Sequence, residues 1–209
     1  DSRGGPEVNL VEYDPEGELK VIAGMLYNAP RNHHPWQETL SQVRRMNAEE
    51  KKRVVEAYLS GRTQRWHKVG RAFENAYARF EITVNIGAWR DIQRHRMLTQ
   101  QRQYFSPYHG YDIPAEIIES GLQQEFRDAI GKEEDIFFKI ENYDPDTAQY
   151  ATALAHRRLV QLKSHAQALH PPYRLIGVVH QHARESRVSL AFRQAHNIVD
   201  VGVHRVRLH

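Results

Sequence analysis

The chain has 209 residues, of which 40% are hydrophobic and 26% charged, with a formal net charge of +3 and no cysteine. This is the composition of a soluble, globular protein, and the absence of cysteine fits a reducing compartment, so a cytoplasmic location is expected: it excludes disulfides, thiolate metal sites and a cysteine nucleophile, and no apolar run approaches a membrane span. The mild basic excess suits phosphorylated small molecules or nucleic acid and is too weak to choose between them.

Residues 1–7 are polar, lack a hydrophobic segment and are expected to be a linker rather than a signal peptide. Val8–Tyr13 and Leu19–Tyr27 are short apolar segments separated by the turn sequence Asp14-Pro-Glu-Gly17, so a pair of strands is expected. Asn28–Pro35 is a connector. Helices are expected near Trp36–Arg45 and Ala48–Leu59. The second has firm punctuation: Asn47 can cap it, Glu50 stands at the capping-box position, Val54, Val55, Tyr58 and Leu59 form one stripe, and Gly61 ends it.

From Ala76 to Val84 the pattern has period two, with Ala76, Ala78, Phe80, Ile82 and Val84 on one face, which predicts a half-buried strand. Asn85 then caps a helix in which Ile86, Trp89 and Ile92 pack inward and Arg90 and Arg94 share another face. Beyond Tyr111-Asp-Ile-Pro114 the chain reads as mostly helical. Ile118, Leu122, Phe126 and Ile130 repeat every four residues, and Ile136, Phe137 and Ile140 continue an apolar face after Gly131. Asp144-Pro145 opens a long helix aligning Ala151, Leu154, Ala155, Leu159, Leu162, Ala166 and Leu169. A further helix is expected from Pro171 or Pro172 to about Glu185, and the tail 186–209 is left unassigned.

The chemistry is expected where strand pattern gives way to helix. Arg94-His95-Arg96 places three adjacent cations at a helix end, where the macrodipole tolerates them, and asks for an anion. Thr99-Gln-Gln-Arg-Gln-Tyr-Phe-Ser-Pro-Tyr108 follows, with the composition of a loop able to close over a planar, phosphorylated ligand.

Ala72-Phe73-Glu74-Asn75, the strand through Val84, Arg90, Arg94-His95-Arg96 and Ser106-Pro107 resemble the central signature of the flavin-dependent thymidylate synthases, over about 40 residues without a gap. The resemblance implies an α/β fold with a central, mainly antiparallel sheet packed with helices, in a single domain over residues 8–185. It implies a homotetramer with shared active sites that moves the methylene of methylenetetrahydrofolate to C5 of a uracil nucleotide, with NADPH-reduced FAD supplying the hydride. It places Arg94, His95 and Arg96 on FAD, with Arg94 also touching the nucleotide. Without cysteine, the route that activates a pyrimidine by thiolate attack is closed.

The chain departs from the family pattern in its nucleotide segment. A glutamine that contacts the nucleotide is replaced by Asp91, a glutamate by Arg102, and the serine that reaches the substrate by Tyr104, while Phe105-Ser106 stands for Gly-Arg. His67 is the candidate for a family histidine, and only Arg157, Arg158 or Lys163 could supply the arginine that polarises the pyrimidine. No residue is assigned a catalytic role. Three other readings stay open: a solvated helix end in which Asp91 pairs with Arg94, a single-strand nucleic-acid surface built on Arg102-Gln-Tyr-Phe105, and a degenerate family copy retained for assembly, as the second half of a tandem pair would be. Thirteen histidines include no metal-binding spacing, and no metal is expected.

Overall fold

The computed structural model describes residues 8–64 and 67–165. The expected helix after Pro171, the tail 186–209, the linker 1–7, and Ala166 and Leu169 of the expected long helix lie outside them.

Four strands, β1 (Val8–Tyr13), β2 (Tyr77–Asn85), β3 (Thr99–Arg102) and β4 (Arg157–His165), form one antiparallel sheet in the order β1-β2-β4-β3. The chain forms two compact units, one built on Leu10–Phe80 and the other on Glu81–Leu162. The α/β class with a central antiparallel sheet is as expected.

In the first unit the second expected strand is a helix, α1 (Gly17–Tyr27). Five consecutive residues, Val21 to Met25, are buried. A helix enclosed on every side loses its amphipathic period, and a short apolar run of this kind cannot be told from a buried strand by pattern alone. Its composition, with Glu18, Leu19, Lys20, Ala23, Met25 and Leu26, favours the helix. Asp14 fixes the entry, accepting a hydrogen bond from the Glu16 amide at 3.0 Å and an ion pair from Lys20 at 2.7 Å.

The next two helices, α2 (Trp36–Arg45) and α3 (Ala48–Leu59), have the expected bounds. The capping box at Asn47 and Glu50 is formed in both directions, at 2.9 and 2.8 Å. Val55 is buried, and Val54, Tyr58 and Leu59 pack against a core of Val21, Ile22, Leu40, Val43 and Phe73. Gly70 sits at φ 89°, a left-handed conformation, and a Cβ there would lie 2.3 Å from the Tyr58 hydroxyl.

In the second unit, α4 (Ile86–Ile92) begins as expected, with the Asn85 side chain accepting from the Ala88 amide at 2.8 Å and with Ile86 and Trp89 buried. The expected helical run after Pro114 is split. α5 (Ala115–Glu119) stops before Gly121, which adopts φ 73°, and α6 (Gln123–Glu141) continues straight through Gly131. Only Ile130 and Phe137 of α6 are buried, while Ile118, Leu122 and Ile136 of the expected inner stripe stand exposed.

The long helix expected after Asp144-Pro145 is corrected. α7 (Pro145–Ala148) is a single turn, held by Asp144, which accepts from the Asp146 and Thr147 amides, and the chain then enters β4. Along β4 the buried positions are Arg158, Val160, Leu162 and Ser164, a strict period of two. Two of the four inward residues are polar, so the alternation is hidden in the sequence and the helical alignment of Leu159 and Leu162 is accidental.

Candidate functional site

The docking of α4 sets the geometry. Its first free amides are received by the segment just before β4: Ile86 donates to the His156 carbonyl at 2.9 Å and Gly87 to the Leu154 carbonyl at 3.1 Å. This aims Trp89 inward and delivers the chain to Arg94. The helix ends at Ile92, so the triplet lies in the turn that follows rather than on the helix surface, with His95 donating its amide to the Ile92 carbonyl at 3.0 Å. Gln100 on β3 donates to the same carbonyl at 3.1 Å and ties the strand to the turn.

Arg94 and Arg96 are exposed, whereas both ring nitrogens of His95 are shielded from solvent. Arg94 lies 3.8 Å from Asp91, with both side chains more than three-quarters exposed. A pair so far into solvent contributes little and yields readily to a stronger anion.

The segment expected to be a loop opens as strand β3, and its aromatic residues have different roles. Tyr104 is 60% exposed, and the neighbouring Asp146 carboxylate raises the phenol's pKa above its usual value. Tyr108 donates to Glu141 at 2.6 Å and packs edge-on against Phe137 and Phe138. Tyr111 packs against Phe126 and His156. Phe105 is half-buried beside Trp89, ring centres 6.2 Å apart. Of the aromatic residues proposed for a nucleic-acid surface, Tyr104 turns its ring to solvent while Phe105 is committed to packing.

The three cations proposed for the pyrimidine are separated by their partners. Arg157 makes a two-nitrogen contact with Asp112 at 2.5 Å, and Asp112 also accepts from Asn85 at 2.9 Å. Lys163 sits 3.9 Å from the centre of the Tyr77 ring. Arg158 is different. Only 2% exposed, its guanidinium lies 4.5 Å from the centre of the Trp89 ring and 4.1 Å from that of Phe105. One terminal nitrogen donates to the Gln103 carbonyl, while Nε and Nη1 have no hydrogen-bond partner among the described residues. Burial, and then the neighbouring charge of Arg102, holds its pKa down to about 10. Arg102 lies 5.1 Å from the centre of the same Trp89 ring.

Sequence reasoning missed this cluster because it assigned residues 157–165 to a helix. The available signal was the alternation Arg158, Val160, Leu162, which becomes visible once an inward charge is allowed. It also missed His156, which is fully buried: its Nδ1 accepts from the Ala153 amide at 3.1 Å, and its Nε2 lies 3.4 Å from Glu134, outside hydrogen-bond geometry.

Comparison with known proteins agrees with the architecture. The family described as "Thymidylate synthase complementing protein" matches residues 9–186. A UPF0159 protein of Chlamydia pneumoniae is 34% identical over 151 residues, covering 72% of this chain and 28% of its own length. One from Chlamydia muridarum is 33% identical over 184 residues, covering 82% and 34%. The chain therefore spans about a third of the length of these relatives. Among solved structures, the UMP/dUMP methylase PolB from Streptomyces cacaoi, bound with 5-Br dUMP, superposes with a TM-score of 0.55 over 78% of this chain and 74% of its own, at 12% identity. That likeness is one of fold, and the sequence match carries the family: the chain belongs to the thymidylate synthase complementing proteins, the flavin-dependent thymidylate synthase family.

Proposed function

We propose that this chain is the FAD- and nucleotide-binding domain of a uracil-nucleotide C5 methylase, with methylenetetrahydrofolate as the one-carbon donor and NADPH as the reductant. The observation that carries the reading is Arg94-His95-Arg96, set at the end of α4 with both guanidinium groups exposed and the imidazole turned inward. Two guanidinium forks in one turn suit a pyrophosphate-bearing cofactor, since each can bind phosphate oxygens through paired N–H groups and stays charged at any working pH. Reduced FAD would supply the hydride. The protein's part is to bind and orient: Arg94 and Arg96 hold phosphate. With no cysteine, the chain offers no thiolate to activate the pyrimidine. The reading includes a soluble, cytoplasmic homotetramer.

A second reading is a catalytically degenerate copy kept for assembly within a longer protein. It is favoured by Asp91, a carboxylate 3.8 Å from the very arginine that should meet the nucleotide, and by the replacements at Arg102 and Tyr104. Tritium release from C5-labelled uridine and deoxyuridine monophosphates, with methylenetetrahydrofolate, NADPH and FAD present, separates the two. Release from uridine monophosphate that disappears in Arg94→Ala supports the methylase. Bound flavin with no release from either nucleotide supports the degenerate copy.

A further inference from the structure

The cluster around Trp89 holds an excess of donors. Buried there without a partner among the described residues are the Trp89 indole N–H and the Nε and Nη1 groups of Arg158. All are donors, and among the described residues the hydrogen-bond acceptor given for Arg158 is the backbone carbonyl of Gln103. Two guanidinium groups share one indole, at 4.5 and 5.1 Å from its centre, and the charge of Arg102 disfavours that of Arg158. A buried cation is retained when something compensates it, and unmet N–H groups ask for the same thing, an anionic acceptor.

We propose that Trp89, Arg102 and Arg158 form a binding site for a phosphoryl group, closed by Gln103 and Phe105. The dianionic charge of a phosphate monoester matches two guanidinium groups, and its oxygens can accept from the Arg158 fork. Because Arg158 is 2% exposed, entry requires the segment Gln103–Ser106 to shift, so that a phosphate oxygen takes the place of the Gln103 carbonyl. Arg102, exposed on β3, is the outer cation that meets the anion first. The site stands on these residues and does not depend on the assignment of FAD to Arg94 and Arg96.

The test is a titration of the full chain, free of phosphate, with inorganic phosphate, uridine monophosphate and uridine, read by the thermal unfolding midpoint and by tryptophan fluorescence in a Trp36→Phe, Trp66→Phe background. The expected result is a saturable response to phosphate and to the monophosphate but not to uridine. Arg158→Lys, which keeps the charge and loses the fork, and the surface variant Arg102→Gln should each raise the half-saturating concentration about tenfold or more while remaining folded. A tighter response to the monophosphate than to phosphate identifies a nucleotide as the source. Absence of any saturable response in the wild type, or equal half-saturation in Arg102→Gln and the wild type, overturns the proposal. The acidic side chains beyond residue 165 are Glu185 and Asp200. If Glu185→Gln or Asp200→Asn creates a phosphate response that the wild type lacks, the chain supplies its own counter-ion and the proposal fails.

Discussion

The guanidinium of Arg158, on strand β4, lies 4.5 Å from the centre of the Trp89 ring of helix α4. A charge is thus placed at an inward strand position that a Val or Leu would fill in an ordinary sheet.

That placement has a cost without an anion. Burial and Arg102 hold the Arg158 pKa to about 10, below its ordinary value. With the folded value below the unfolded one, the charged form opposes folding at neutral pH. Between those two values the unfolded chain keeps a proton that the folded chain has lost, so this group's contribution to stability rises with pH. Arg158→Met removes the buried charge and is predicted to leave the protein as stable or about 1 kcal/mol more stable in phosphate-free buffer. Urea unfolding at pH 7 checks it, and a loss of stability would contradict it.

By the sequence resemblance, Tyr104 is proposed to stand where the family carries a small serine, and the Asp146 carboxylate beside it raises its pKa. Tyr104→Ser removes the ring and is predicted to raise the affinity for uridine monophosphate in the presence of FAD. Calorimetric titration of both proteins decides the matter, and equal affinities would end the idea that Tyr104 obstructs the nucleotide.

Arg157, one residue from Arg158, has a structural role. Its contact with Asp112, itself bound to Asn85, links the cap of α4 to the start of β4. Asp112→Asn is predicted to destabilise the fold by about 1 to 3 kcal/mol by leaving a partly buried charge without its partner. Denaturant midpoints measure this. An unchanged midpoint would mean the pair is dispensable.

Gly70 is held at φ 89° with the Tyr58 hydroxyl 2.3 Å from where a Cβ would stand. Gly70→Ala meets both the left-handed backbone penalty and a clash, together about 1 to 3 kcal/mol. Gly70→Ala combined with Tyr58→Phe should recover part of the loss. No recovery would place the whole cost in the backbone.

Where side-chain pattern and local hydrogen bonding agree, the sequence was a good guide. The capping box at Asn47 and Glu50, the alternation leading through Phe80 and Ile82, and the Asn85 cap are all local signals, and each is formed as expected. It misled where burial erased periodicity. α1 is enclosed on every side and looked like a strand, and β4 turns Arg158 and Ser164 inward and looked like a helix. The triplet was legible as a cluster of cations. Its surroundings were not, because Arg158 meets Trp89 and Phe105 only through pairing of strands far apart in the chain, which no local pattern encodes.

The central claim is that Arg94-His95-Arg96 holds a flavin. The most direct measurement is the visible absorption spectrum of the protein after incubation with FAD and desalting, compared between wild type and Arg94→Ala. The account predicts retained flavin absorption in the wild type. Arg94→Ala should weaken FAD binding by about 1.5 to 3 kcal/mol, the usual loss for one charge-assisted contact, so that most of the colour is lost. A colourless wild type, or equal retention in the two proteins, would contradict it.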